Sequence, residues 1–310
     1  MTIKIRIATR ESKLALWQAH YVQDRISETH PGIKTEIIGM TTQGDRDKRS
    51  PLSRIGGKGV FVKELEQVLL MGEADIAVHS MKDVPSILPG GLSIQAICER
   101  ADPRDAFVSR KYQRIEEVPS GGRIGSSSLR RRLQLKSRYP DLQYLELRGN
   151  VGTRLEKLDE GEFEGIILAA AGLGRLGLQQ RISEHLSPAY CIPSAGQGAV
   201  GIESRIDDSR VNDVLHKISH PETEFCVSCE RLITARLGAN CNLPIAVFAE
   251  IEDGLMHLSS FVSDGDGKKI INVRLSGPVE EGKQLAEQVA GELLDQGAGE
   301  LIGAQNTDFV

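Results

Sequence analysis

Residues 3–8 alternate apolar and polar side chains, which predicts a half-buried strand. Thr9-Arg10-Glu11-Ser12 follows, and Ser12 is placed to cap a helix running to about residue 30. Leu14, Trp17, Tyr21 and Ile26 give that helix its apolar side, and Pro31-Gly32 stops it. Residues 35–40 predict a second strand. The dense polar run over 43–59 predicts a long loop, residues 61–71 a helix, and the short apolar run 74–78 a buried parallel strand. After residue 100 the same alternation continues. Strands are expected at 123–125, 142–147, 165–170 and 199–203, with helices after Ser126-Ser127-Ser128, over 151–160 and over 207–218. Strands alternating with helices argue for α/β units with parallel sheets.

Near His220-Pro221 the pattern changes. A helix over 222–237 precedes three strands near 244–250, 255–263 and 268–276, joined by the turn sequences Asp253-Gly254 and Asp264-Gly265-Asp266-Gly267. A last helix is expected over 279–296. This α+β tail raises the expectation from the roughly two domains that 310 residues suggest to three.

Composition is that of an ordinary globular chain: 40% hydrophobic and 26% charged residues. No apolar run approaches the roughly 18–20 residues of a membrane span, and the N-terminal alternation lacks the apolar core of a signal peptide. The cysteines are Cys98, Cys191, Cys226, Cys229 and Cys241, an odd and scattered set that reads as reduced thiols in the cytosol. Cys226-Val-Ser-Cys229 lacks two further ligands at zinc spacing, so packing on a helix face is its expected role.

Charge changes the picture more. The net charge is −5, yet residues 100–154 hold 11 arginines and 2 lysines against 6 acids. Arginine grips carboxylate or phosphate bidentately. A local anionic ligand is expected, whereas a nucleic-acid-binding domain would be strongly basic throughout. In open α/β sheets ligands bind beyond the carboxyl ends of strands, and the polar clusters fall there. Arg10 and Ser12 follow the first strand, Lys82 and Asp83 follow the run ending at Val78, Ser128, Arg130 and Arg131 follow Gly125, and Arg148 and Arg154 follow Leu147. A helix N-terminus with serine hydroxyls and arginines is an anion site, or else a capped helix with a solvated basic face. Asp83, flanked by His79 and Lys82, is a carboxylate for stabilising a cation or moving a proton, or else a salt-bridged loop acid. Cys241 lies in a helix-to-strand loop, as a reactive thiol or a passive one.

Together these segments closely resemble the porphobilinogen deaminase family. The resemblance covers essentially the whole chain and is carried by Ala8-Thr-Arg-Glu-Ser12, Gly56-Gly-Lys-Gly-Val-Phe-Val-Lys-Glu-Leu65, Ala77-Val-His-Ser-Met-Lys-Asp-Val-Pro85, Ser127-Ser-Leu-Arg-Arg131, Leu147-Arg-Gly-Asn-Val-Gly-Thr-Arg154, Ile167-Leu-Ala-Ala-Ala-Gly-Leu173, Gly196-Gln-Gly-Ala-Val-Gly-Ile202 and the Cys241 loop. It implies an α/β fold: two type II periplasmic-binding-protein-like α/β domains, 1–99 with 199–218 and 100–198, plus a smaller α+β C-terminal domain, 219–310, with a three-stranded antiparallel sheet.

The resemblance further implies a cytoplasmic transferase, a monomer without nucleic-acid or membrane partners. It would condense four porphobilinogen molecules head to tail, lose ammonia each time and release hydroxymethylbilane by hydrolysis. Its cofactor would be a dipyrromethane joined by a thioether to Cys241. Asp83 would stabilise the azafulvene cation formed when ammonia leaves. Ser12, Lys82, Ser128, Arg130, Arg131 and Arg154 would hold the cofactor. Arg10, Arg148, Arg175 and Gln197 would hold substrate carboxylates in a cleft. Lys58 and the run 45–54 would form a lid, Phe61 would pack near the pyrroles, and no metal is expected. Two other readings compete: a non-enzymatic anion-binding protein of the periplasmic class, and nucleic-acid binding through residues 100–154.

Overall fold

The fold was read from a computed structural model, which describes residues 4–46, 61–238 and 243–307. In chain order it gives β1 (Lys4–Arg10), α1 (Lys13–Thr29), β2 (Lys34–Met40), α2 (Gln43–Arg46), α3 (Lys63–Leu70), β3 (Ile76–Ser80) and β4 (Leu92–Ile97). The middle of the chain gives β5 (Asp105–Val108), β6 (Arg123–Gly125), α4 (Leu129–Arg138), β7 (Gln143–Leu145), α5 (Val151–Asp159), β8 (Gly165–Ala169), α6 (Ala170–Arg175) and β9 (Glu184–Leu186). Then come β10 (Val200–Arg205), α7 (Ser209–His216), α8 (Pro221–Arg236), β11 (Ile245–Glu252), β12 (Leu255–Ser263), β13 (Ile270–Pro278), α9 (Gly282–Asp295) and α10 (Ala298–Thr307). The chain divides into two compact units, Met1–Ala101 with Ala199–Phe225, and Asp102–Gly198 with Cys226–Val310.

The first unit holds a five-stranded sheet in the order β2-β1-β3-β10-β4. β1 pairs parallel with β2 and with β3, while β10 runs antiparallel to both β3 and β4. Strand alternation divides the apolar residues between two faces. Ile5, Ile7, Ile76, Val78 and Ile202 pack with α1 and α7 on one face. Ala8, Ala77 and Leu92 pack with Leu65 and Leu69 of α3 on the other. Ser12 caps α1, its hydroxyl accepting from the Ala15 amide at 3.2 Å.

The second unit repeats this order. Its five-stranded sheet runs β7-β6-β8-β5-β9. β6, β7 and β8 are parallel, and β5 is antiparallel to β8 and β9. Both sheets are therefore mixed: the parallel pairing expected of α/β units is present, and in each sheet one strand, β10 or β5, runs against its neighbours. Local periodicity carries no information on pairing direction, because a strand buried on both faces reads as the same apolar run either way.

The same unit contains the antiparallel sheet β11-β12-β13. Glu252 pairs with Leu255, so Asp253 and Gly254 alone make the turn. Both have positive φ, 50° and 76°, as a two-residue type I′ hairpin requires. α9 buries Ala286, Val289, Ala290 and Leu293. Leu133 of α4 shares a core with Ile192, Ala246, Phe248 and Phe261. Cys226 and Cys229 lie buried in α8.

One close approach is testable. Phe107, fully buried on β5, lies over Gly165 of β8, where a Cβ would come within 2.1 Å of its ring. Gly165→Ala is therefore expected to lower unfolding free energy by about 1–3 kcal/mol, the usual penalty for overpacking a close-packed core. Urea unfolding measures this, and an unchanged midpoint would mean that the ring yields freely.

Candidate functional site

The parallel pairing of β1 and β3 puts their carboxyl ends on one edge of the first sheet. Arg10 ends β1, Ser12 caps the helix after it, and Met81, Lys82 and Asp83 form a single 3-10 turn directly after β3. Gln18 of α1 donates to Ser80 at 2.8 Å, tying the first helix to the end of β3. Lys82 and Asp83 are half-buried. No other described residue hydrogen-bonds to or ion-pairs with the Asp83 carboxylate. His79, expected beside it, instead turns into the interior and meets Glu203 at 2.9 Å. Alternation along β3 explains the difference, since His79 shares the face of Ala77 that α3 covers.

The Arg10 guanidinium carbon sits 4.1 Å from the centroid of the Phe61 ring. This is cation–π geometry. The ring also lies against Gly44 of α2, where a Cβ would approach it to 2.2 Å. Lys58 and most of the 45–54 run lie outside the described residues, and so does Cys241.

In the second unit, the carboxyl ends of β6, β7 and β8 share one edge. The loops leaving it carry Ser128 and Arg130–Arg131, Arg148–Arg154, and α6 with Arg175. Ser128 caps α4 by accepting from the Arg131 amide at 3.4 Å. Asn150 caps α5. Arg154 donates from Nε to the Gly149 carbonyl at 2.7 Å, and Arg148 reaches Glu146 at 3.4 Å. Arg175 donates to the Gly198 carbonyl at 2.6 Å. Arg148, Arg154 and Arg175 are all half-buried.

Arg130 and Arg131 are different, at 4% and 5% exposed. Between them lies Asp105, fully buried at the start of β5. Arg130 Nη2 donates to its Oδ2 at 2.8 Å and Arg131 Nε to its Oδ1 at 2.9 Å. Gln197 Nε2 adds a bond to Oδ1 at 2.8 Å, and the Cys191 thiol approaches Oδ2 at 3.4 Å. Burial alone would push the Asp105 carboxyl up. The charges and hydrogen bonds of Arg130, Arg131 and Gln197 outweigh it and hold the group well below the usual carboxylate range. Burial, then the Asp105 charge, raise the Cys191 thiol, so it is a neutral packing group.

Gln197 is positioned by the turn Gly196-Gln197-Gly198, whose glycines take φ of 71° and 89°. The buried Glu230 carboxylate of α8 anchors that turn, accepting from the Gly196 amide at 2.6 Å and the Ala249 amide at 2.8 Å. Sequence reasoning missed Asp105 and Glu230. An acid directly before the apolar run Ala106-Phe107-Val108 was the available signal for Asp105. Among the described residues no group of His, Cys, Asp and Glu is arranged to hold a metal.

The second unit's edge thus sets two guanidiniums against one carboxylate. It keeps one positive charge in excess in a nearly buried position, beside the amino end of α4. Such an excess is costly unless an anion completes it. The donor set fits a group that carries carboxylates.

Residues 5–213 match the family model described as porphobilinogen deaminase, dipyromethane cofactor binding domain, and residues 224–295 match the porphobilinogen deaminase C-terminal domain. A porphobilinogen deaminase from Chromobacterium violaceum is 51% identical over 301 residues, covering 97% of this chain and 97% of that protein. Among solved structures, the periplasmic VFT2 domain of Bordetella pertussis BvgS is similar over 74% of this chain and 92% of its own, with 17% identity and a TM-score of 0.40. A nutrient-binding protein from Burkholderia cenocepacia bound to methionine covers 69% of this chain and 90% of its own, at 15% identity and a TM-score of 0.43.

Asp105→Asn is expected to remove about 3–5 kcal/mol of stability at neutral pH, because two buried guanidiniums lose their counter-charge. The sign with pH follows from the depressed native pKa. The native contribution is full above the unfolded aspartate value of about 3.9 and declines as pH falls through that value towards the lower native one. The gap between wild type and variant should therefore narrow only in strong acid. Denaturant titrations at several pH values measure it, and a gap that vanished already at pH 6 would contradict the pairing.

Proposed function

The chain belongs to the porphobilinogen deaminase family, and from that premise we propose how its residues divide the work. The activity is hydroxymethylbilane synthesis in the tetrapyrrole pathway, with four porphobilinogen molecules condensed and ammonia released. The cofactor domain is that of a dipyrromethane enzyme. When bound, that group supplies a covalent primer to which successive pyrroles are added.

In this reading Asp83 is the catalytic carboxylate. When ammonia leaves porphobilinogen, the carbon it leaves becomes cationic. A half-buried carboxylate with no cation of its own among the described residues is suited to stabilise that charge and to move the pyrrole N–H proton. Cys241 is the attachment point, through a thioether.

The observation that carries the binding assignment is the excess cation of Arg130 and Arg131 over Asp105. With Ser12, Lys82, Ser128 and Arg154 they hold the cofactor's carboxylates. Ser12 and Ser128 use an acceptor lone pair in capping, which leaves each O–H as a donor towards a carboxylate. Arg10, Arg148, Arg175 and Gln197 serve the substrate and the growing chain, with Phe61 against the pyrroles and Lys58 in a lid.

We further propose the three-part division 1–99 with 199–218, 100–198 and 219–310, which the two separate sheets of the second unit support. Cytoplasmic location and a monomeric state complete the proposal. Among the described residues no helix is long and apolar enough to cross a membrane, and the described cysteines are buried.

Asp83→Asn is expected to fold and carry the cofactor but lose condensation activity by more than about 100-fold, the scale of a general acid–base group. Full turnover by that variant would refute the role. Cys241→Ala is expected to show the bare polypeptide mass, without a dipyrrole. A cofactor attached at another cysteine would overturn the anchor. Both are read by intact mass before and after limiting porphobilinogen, alongside ammonia release.

A further inference from the structure

Two acids and a histidine without a part in the chemistry above are buried together in the first unit. His79 of β3 and Glu203 of β10 lie on the sheet face covered by α3, with His79 Nε2 2.9 Å from Glu203 Oε2. His79 is 5% exposed and Glu203 fully buried. Glu66 of α3 is buried as well. Burial and then the Glu203 charge raise its carboxyl, while His79 lowers it, so the three groups sense one another. The second oxygen of Glu203, Oε1, is buried without a hydrogen-bond partner.

This arrangement is expensive. A buried polar pair with an unsatisfied oxygen is commonly less stabilising than apolar residues of the same volume. Apolar packing would hold β3 against β10 equally well, but it would not fix their relative position as narrowly. The position matters because β3 runs straight into the Asp83 turn.

The ladder around the pair is built for it. His79 stands opposite Gly201 and Glu203 opposite Ala77, so the pair spans the ladder diagonally beside two small residues. The space at Gly201 is filled by the Met81 thioether, where a Cβ would come within 2.0 Å of the sulfur. The Met81 amide donates to the Ala199 carbonyl at 3.1 Å. Three successive contacts thus bind the end of β3 and the start of the turn to β10.

We propose that the His79–Glu203 pair, backed by Glu66, is a brace that fixes the Asp83 turn against β10, making His79 and Glu203 positioning residues for the condensation reaction. This rests on the reading of Asp83 as the catalytic carboxylate. The brace acts through geometry: it sets where the carboxylate stands when the cation forms, and it leaves the affinity for porphobilinogen to other residues.

The test uses the cofactor-loaded enzyme, with loading checked by intact mass. Glu203→Leu and His79→Leu are each expected to lower kcat about 10-fold with KM changed less than about 2-fold, as displacement of a catalytic group by a fraction of an ångström does. The double variant should be no slower than the slower single one. Glu203→Gln, which keeps an oxygen for His79, is expected to recover most of the lost rate.

Wild-type kcat in either leucine variant, a rise in KM at unchanged kcat, or additive losses in the double variant would each overturn the brace. Should the leucine variants not fold, Glu203→Ala and His79→Ala are held to the same outcomes. Failure of all of them to fold would assign the pair to stability alone and overturn the positioning role. Asp83→Asn run in parallel separates the two ideas. Its inactivity together with wild-type rates in the brace variants rejects only the brace, while its full activity rejects the reading of Asp83.

Discussion

The second unit depends on one buried carboxylate. Asp105 receives two guanidiniums, a glutamine amide and a thiol, and it draws in residues from β5, α4, the Gly196–Gly198 turn and the segment at Cys191. Taking three ions out of water is unfavourable unless their geometry and hydrogen bonding are nearly complete. Here they are, since Arg130 also donates to the Ile192 carbonyl and Arg131 to that of Ile167. Strand direction makes this possible. β5 runs against β8, so its first residue stands at the edge where β6 and β8 end, with Asp105 paired to Ala169. A parallel β5 would carry Asp105 to the opposite edge and leave two buried arginines without an anion.

The first unit differs in what its sheet edge presents. Beside Arg10 and Lys82 it carries a carboxylate, Asp83, on a turn of three residues after a central strand. A loop would place such a group less exactly than a turn bonded to a sheet does. The return strand β10 again supplies the constraint, through Ala199, Gly201 and Glu203. In both units, therefore, an antiparallel strand, β10 or β5, lies against a central parallel one and fixes side chains at the edge where the parallel strands end.

This explains what the sequence made legible. Alternation and helix period placed β1, α1, β2, α4, α5 and the hairpin at Asp253-Gly254 close to their observed positions. The arginine clusters fell on strand ends as read, because the polar loops after apolar runs are local features. The strands that run against their neighbours were less legible. β10 was recognised as a buried run, yet nothing in Ala199-Val-Gly-Ile-Glu203 reports that it pairs antiparallel with β3 and β4. β5, only four residues long, was not recognised, and Asp105 with it. His79 was read as a neighbour of Asp83 along the chain, whereas the strand's two-residue period sends it to the other side of the turn's base. The mistakes share a cause. Pairing direction and the partners of Asp105 and His79 lie far away in sequence, and local pattern contains no term for them. Cys241 stands apart: its importance was carried by family resemblance alone.

The two kinds of arginine at the second unit's edge then suggest why this chain carries so many there. A resident cofactor has fixed carboxylates, and a buried pair whose guanidiniums are locked by Asp105 is pre-organised to meet them with little further loss of side-chain freedom. The growing chain is another matter, because each added pyrrole brings two more carboxylates to a new place. Half-buried side chains such as Arg148, Arg154 and Arg175 keep part of their rotamer freedom and can follow a ligand that changes length. In the division proposed above, rigidity is matched to the invariant part of the ligand and compliance to the variable part. Arg154 stands at the boundary between the classes: it is proposed for the cofactor, yet it is half-buried like the arginines proposed for the growing chain, with its Nε bonded to the Gly149 carbonyl. It lies on the first turn of α5, where the helix fixes its stem, so in this proposal it serves the junction between cofactor and first substrate.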